Sequence, residues 1–303
     1  MDSSAFTILL ARQRSGTHAF RSVLGSHPEI FCFDEVFSIW TRDDQNPYWK
    51  EFEHPIAAAN FFNFVEAYVS EDVGRLLPTR HGELFERFFE HLRGLAAERH
   101  LIVDVKYNST HFFTRPFQPL GTSYFLELVV QHGLRVLRVT RTNYLRWAVS
   151  TTKAHAADRY HVRTGGATGD GTVRLDPAAV LPMLERCEAE DAAIERHLRG
   201  YPHLRTYDYA EIFPGGGEPV SEKVLRDVSE WLGVAPTFVA APSFPKQSSL
   251  ALSETIENFG EVAAALRGTR FAYCLHDEPS YRASRELGDD EAVADIELGQ
   301  TEQ

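Results

Sequence analysis

This chain is poor in the features that mark secreted, membrane or metal-stapled proteins. Its 303 residues hold three cysteines, Cys32, Cys187 and Cys274, odd in number and far apart. Neither a disulfide framework nor a CxxC metal pair can be built from them, which favours a reducing compartment. The first residues have no basic region, and the apolar run near them is too short for a signal peptide or a membrane span. No lysine occurs before Lys50, so the early glycine cannot belong to a GxxxxGK[ST] loop, and GxGxxG is missing too. The 13 histidines form no HxxxH or HxH pair. Positive charge is scarce as well: 31 Lys and Arg against 43 Asp and Glu leave a formal charge of −12. That disfavours a broad nucleic-acid or anionic-membrane surface and requires any cationic site to be local. No internal repeat is visible. The expectation is a soluble, cytoplasmic protein without a nucleic-acid partner; its oligomeric state is not legible.

What is present reads as strands alternating with helices. Thr7 to Leu10 is a short buried strand. Phe20, Val23 and Leu24 then recur at helical spacing, up to Gly25 and His27-Pro28. Further strands are read at Leu101 to Lys106, Gly133 to Arg141, and "LRTYDYAEIF". A helical pattern follows Arg141. A long helix begins at Asp176 with Pro177 in its first position, and "SEKVLRDVSEWLGV" is capped by Ser221. "LSETIENFGEVAAALRG" is read as one helix closed by Gly268. The segment 163–171 is glycine-rich and reads as a loop. This order predicts an α/β fold with a doubly wound parallel sheet flanked by helices, in one domain over 1–277. An aromatic-rich helical insertion is expected at 36–100, part core and part pocket lining. The acidic stretch 278–303 has no apolar periodicity and is expected to be disordered. In such sheets ligands sit at the carboxyl ends of the strands.

The first such end is "RQRSGTH", Arg12 to His18. A helix amino terminus offers unpaired N–H groups and a partial positive charge, which together bind anions. Gly16 allows close backbone approach, Ser15 and Thr17 add hydroxyls, and Arg14 adds a forked cation. The same residues would also suit an ordinary helix capped by Ser15.

This loop resembles the 5′-phosphosulfate loop of PAPS-dependent sulfotransferases, a P-loop-like family. The matching residues are Arg14, Ser15, Gly16 and Thr17; His18 departs from the family's hydroxyl residue. "VLRVTRTNYLRWAVSTTKA" resembles the family's 3′-phosphate site, with Arg141 at a strand end and Ser150 two turns into the next helix. Its Arg-x-Asn-x-Leu form, with Asn143, is similar to the bacterial carbohydrate branch, which includes nodulation and trehalose sulfotransferases. A bidentate arginine plus a hydroxyl suits a doubly charged phosphate. Glu35 in "IFCFDEVFS" matches the branch's base on the acceptor hydroxyl, with Asp34 as neighbouring competitor. "VDVKYN" resembles a family strand carrying a lysine, so Lys106 either assists the leaving group or orients Glu35. Lys246 in "FPKQSSL" is a candidate phosphate contact, and Arg12 and His18 belong to the cofactor loop. The resemblance implies PAPS as co-substrate, PAP as product, and a small-molecule, carbohydrate or lipid hydroxyl as acceptor. Its scheme needs no metal. A P-loop-like kinase and a non-catalytic PAP-binding module are the alternatives.

Overall fold

The computed structural model describes residues 5–43, 56–96, 98–119, 121–156, 171–214, 219–239 and 251–276. In chain order the elements are β1 (Phe6–Ala11), α1 (Thr17–Leu24), β2 (Ile30–Phe33), α2 (Ile56–Ala59), α3 (Phe61–Val69), α4 (His81–Leu95) and β3 (His100–Lys106). These are followed by α5 (Tyr124–Gln131), β4 (Arg135–Thr140), α6 (Tyr144–Ala156), α7 (Pro177–Leu198) and β5 (Leu204–Asp208). Last come α8 (Tyr209–Ile212), α9 (Glu222–Leu232), α10 (Leu252–Thr255) and α11 (Phe259–Leu266).

The strands form a single five-stranded sheet in the order β2-β3-β1-β4-β5, and every pairing is parallel. The expected α/β class with helices on both faces is what the structure has. Strand alternation sends Leu9 and Ala11 to the face covered by α1 and α9, and Ile8 and Leu10 to the face covered by α4 and α5. Buried parallel strands are covered on both faces, as β1 is along all six residues, with Thr7 the one polar side chain, bonded to the His100 ring at 2.8 Å. The strand order reverses about β1, so a crevice opens at its carboxyl end.

The segment after α1 differs from the expectation. "IFCF" is an edge strand pairing with β3 from Ile30↔His100 to Phe33↔Val103. The candidate acid at 35 therefore follows a strand. Likewise, "LSETIENFGEVAAALRG" is two helices. Ile256 leaves the helical path to bridge Val173, and the Asn258 side chain bonds both the Leu175 N–H and its carbonyl. The segment read as a strand through "YAEIF" turns helical at Tyr209, where Asp208 and Glu211 make a capping box. The glycine-rich 163–171 stretch except Gly171, the acidic tail, and Lys246 lie outside the described residues.

Among the described residues of the aromatic insertion, most of the phenylalanines join the core. Phe37 and Phe61 are buried with Phe85, Phe88, Phe113 and Phe125, with ring centroids 5.0 Å apart for Phe37–Phe61 and 5.1 Å for Phe61–Phe88. Trp40, by contrast, is 71% exposed. Between them stands Asn60, fully buried. Its amide donates to the Ser38 carbonyl and to Thr41 Oγ1, both at 2.8 Å, and its oxygen accepts from the N–H groups of Phe62 and Asn63 as the cap of α3. Thr41 Oγ1 in turn donates to the Glu35 carbonyl at 3.0 Å, and Phe61 N–H donates to the Val36 carbonyl at 2.8 Å. One amide thus ties the turn after β2 to α3. Asn60→Ala removes a helix cap and two buried donors. It should lower unfolding stability in urea by about 2–3 kcal/mol; a loss below about 0.5 kcal/mol would show that the turn is held by other means.

Candidate functional site

The site is assembled from the turns that leave β1, β2, β3 and β4. The β1 turn is built around two left-handed residues, Arg14 at φ 65° and Gly16 at φ 78°. For arginine this conformation is costly, and it persists where surrounding contacts demand it. Those contacts come from the β4 turn. Arg141 Nη1 donates to the Arg14 carbonyl at 3.0 Å, and the Trp147 indole N–H donates to the Gln13 carbonyl at 2.7 Å. Arg14 Nε in turn donates to Ser150 Oγ at 3.3 Å. The residues singled out at 14, 141 and 150 therefore meet, although they lie far apart in sequence.

Gly16 is needed for a steric reason as well. A Cβ there would stand 2.7 Å from the Tyr209 ring. The same ring lies under the Arg141 guanidinium, 4.4 Å from its centroid. Asp208 Oδ2 accepts from Thr140 Oγ1, from Thr142 Oγ1 and from the Thr142 N–H at 2.9 Å, which fixes the peptide carrying Arg141. Sequence reasoning missed Trp147, Asp208 and Tyr209 as site residues. The signal was a polar residue and an aromatic at the end of β5, next to the strand that carries Arg141.

Gly16, not Ser15, is the cap residue of α1, and it makes no side-chain cap. Ser15 is 1% exposed, and its hydroxyl has no hydrogen-bond partner among the described residues. A buried unpaired hydroxyl at a helix amino terminus is costly and would be satisfied by an anion there. Thr17 Oγ1 accepts from Lys106 Nζ at 2.5 Å, which leaves its own hydrogen available. Arg12 faces elsewhere. Its side chain crosses to α7, pairing with Glu190 at 3.1 Å and Asp191 at 3.4 Å and bonding the Cys187 carbonyl.

Beneath α1 lies a buried ionic cluster. Lys106 Nζ donates to both Asp104 oxygens, at 2.7 and 2.9 Å, and stands 3.5 Å from Glu35 Oε1. Arg21 bonds Asp34 and lies 3.6 Å from Asp104. Burial alone would raise the Asp34 carboxyl, but the charge and hydrogen bond of Arg21, with the Glu35 N–H, outweigh it and hold it well below the usual carboxylate range. Burial opposes charge on Lys106 too, yet Asp104 and Glu35 raise its pKa, so the ammonium stays charged. His18 is pushed down to about 4, chiefly by burial, with Arg21 and Lys106 adding repulsion. Glu35 is the accessible member, its side chain 19% exposed against 1% for Asp34.

His18, Asp34 and Glu35 each offer an atom within 4.8 Å of the others, the spacing of a possible cation site. Arg21 and Lys106 already bring two positive charges to those carboxylates, so a dication would meet repulsion. Among the described residues, no helix is long and apolar enough to cross a membrane.

No family model matches the chain, and no curated protein matches it. Among solved structures, a sulfotransferase from Alicyclobacillus acidocaldarius is similar at 13% identity over 91% of this chain and 98% of that one, with a TM-score of 0.40. A likeness at that level carries no argument about chemistry.

His18 supplies a stability signature. Its imidazole has a pKa near 6.5 in the unfolded chain and about 4 in the folded one. As pH falls from 6.5 towards 4 the unfolded chain takes the proton first, so folding stability drops across that window and the loss is complete below it. His100, also pushed down to about 4 chiefly by burial, acts in the same direction. Urea titrations at stepped pH should show stability falling between pH 6.5 and 4, by up to about 3 kcal/mol per group. A chain carrying both His18→Gln and His100→Gln should show a much flatter profile there; an unchanged slope would refute the assignment.

Proposed function

We propose that the chain is a PAPS-dependent sulfotransferase, moving a sulfuryl group to a hydroxyl of a small-molecule, carbohydrate or lipid acceptor. One observation carries this: the glycine turn at the start of α1 and the Arg141–Ser150 pair converge on Arg14 at the carboxyl ends of adjacent strands. Two anion-binding groups side by side suit a nucleotide bearing both a 5′-phosphosulfate and a 3′-phosphate. The unpaired Ser15 hydroxyl supports the first position. Arg14, the loop N–H groups, Ser15 and Thr17 would hold the phosphosulfate. Arg141 and Ser150 would hold the 3′-phosphate. Lys246 keeps its place as a candidate phosphate contact by resemblance alone. Arg12, spent on two carboxylates of α7, would brace the turn.

In the transfer, the acceptor oxygen forms a bond to sulfur as the bond between sulfur and the phosphate oxygen breaks. The hydroxyl proton goes to Glu35, and the electron pair leaves with PAP. Arg14 and the loop N–H groups stabilise the charge growing on the leaving oxygen. Lys106 is surrounded by Asp104 and Thr17, which favours orienting Glu35 over reaching the leaving group.

PAP should raise the melting temperature without magnesium, and AMP should do so far less. At about 100 times Kd the gain is about 2.7 kcal/mol. Arg141→Ala also frees the Arg14 carbonyl, so both ligands should weaken, but PAP by about 1.5–3 kcal/mol more than adenosine 5′-phosphosulfate in calorimetry. A shift seen only with Mg-ATP would replace this function with a kinase-like one.

Glu35→Gln keeps size but cannot take a proton. It should leave PAP affinity close to wild type and lower kcat by about 10²–10⁴-fold. Asp34→Asn strips Arg21 of its hydrogen-bonded counter-ion and leaves only the longer approach to Asp104 at 3.6 Å, so its main effect should be on thermal stability. A Glu35→Gln enzyme keeping more than about a third of the rate would show that another group is the base.

A further inference from the structure

His18 stands where the β1 turn becomes α1, and its ring lies against both carboxylates of the β2 turn. Its Nδ1 is 2.9 Å from Arg21 Nη2. A guanidinium can only donate, so Nδ1 accepts and the ring proton sits on Nε2. That N–H edge is 3.8 Å from Glu35 Oε1 and 4.0 Å from Asp34 Oδ1. The Asp34 oxygen already accepts from Arg21 and from the Glu35 N–H, the latter at 2.7 Å. Glu35 Oε1 has a looser neighbour, Lys106 at 3.5 Å, whose hydrogens are directed to Thr17 and Asp104 at shorter range. Asp34 Oδ2 has no partner among the described residues, but the Asp34 approach to Nε2 is through Oδ1. Glu35 Oε1 is the nearer oxygen and the one not already bonded to a guanidinium and a backbone N–H, so it is the acceptor placed for the imidazole N–H. Hydrogen bonds of catalytic groups are commonly long before substrate is bound and tighten with it.

We propose that His18 is a positioning residue for Glu35: Arg21 fixes its tautomer through Nδ1, and its Nε2–H takes Glu35 Oε1, leaving Oε2 to face the acceptor hydroxyl. The role of Glu35 as base is taken from the proposed function; the orientation of the imidazole is not. Lys106 and His18 stand 3.5 and 3.8 Å from the same oxygen, one on β3 and the other on α1, so charge from one element and the imidazole N–H from another face the carboxylate. A neutral donor suits this place. A charged imidazolium would add a third cation beside Arg21 and Lys106, whereas a neutral N–H orients the carboxylate without adding charge to the buried cluster.

Two measurements test this on the full chain. The first is a histidine-labelled 15N spectrum, with the His18 signal assigned by its loss in His18→Gln. A neutral Nε2–H ring at pH 7 whose signals move in Glu35→Gln is the expected result. An Nδ1–H ring, or one indifferent to Glu35→Gln, overturns the proposal whatever the chain catalyses. The second is initial rate with PAPS and an accepted hydroxyl. His18→Leu should lower kcat by about 10²-fold, the scale of a misplaced reacting group, with KM for PAPS and the PAP melting shift nearly unchanged. His18→Gln, whose amide nitrogen reaches the place of Nε2, should recover most of the rate. His18→Asn, which reaches only the place of Nδ1, should not. Equal rates for Gln, Asn and Leu overturn the proposal. A wild-type chain that moves no sulfuryl group from PAPS overturns the proposed function instead, and the imidazole spectrum still decides how Glu35 is held.

Discussion

A buried ammonium cannot be left without partners, and the neighbourhood of Lys106 is organised by that constraint. Its Nζ is 3% exposed at the side chain and bonds Asp104 on its own strand and Thr17 on α1, with Glu35 within 3.5 Å. Asp104 in turn neighbours Arg21, and Arg21 holds Asp34 and the His18 ring. Charge alternates from β3 through α1 to the β2 turn. Removing any one member would strand another in the interior, a change worth about 3–5 kcal/mol in buried pairs. The start of the glycine-turn helix and the candidate base are thus parts of one electrostatic unit.

A second ionic group occupies the opposite face of the same sheet. Arg138 of β4 bonds Asp191 of α7 at 3.1 Å, Tyr107 bonds the same carboxylate, and Arg12 reaches it from the end of β1. Strand alternation produces this division. Ile8, Leu10 and Arg12 follow one side of β1, while Asp104 and Lys106 share the other side of β3 with Ile102. The two arginines of the turn therefore act differently. Arg12 completes the strand's periodicity and is absorbed by α7. Arg14 sits in a left-handed conformation and turns towards Ser150.

Much of this was legible from local pattern. The first strand, the glycine turn, the strand ending at Arg141 and the helix bearing Ser150 all follow from apolar spacing and punctuation. Lys106 was singled out by resemblance, but its partner Asp104, two residues earlier on the same face of β3, was not. Other features depend on contacts that sequence spacing does not encode. "IFCF" is only four residues long and runs straight into an acidic, aromatic turn, so nothing local marks it as an edge strand. The break at Ile256 exists because Val173, more than eighty residues earlier, offers a bridge. Asp208, Tyr209 and Trp147 serve the site because β5 lies beside β4 and α6 lies over the β1 turn.

The adjacent acids at 34 and 35 show how the fold divides two chemically similar groups. Asp34 is enclosed, accepts from a guanidinium and from the next backbone N–H, and its ionised form is what lets Arg21 be buried. A carboxylate so committed cannot give up its charge without exposing that cost. Glu35 has one more methylene, points to the accessible side, and meets its charged neighbour at 3.5 Å while the peptide behind it is held by Thr41 and Ser38. Asp104 and Thr17 take the Lys106 hydrogens without it. The proposal that Glu35 is the base rests on this difference, since proton transfer needs a group whose protonation the rest of the cluster can tolerate.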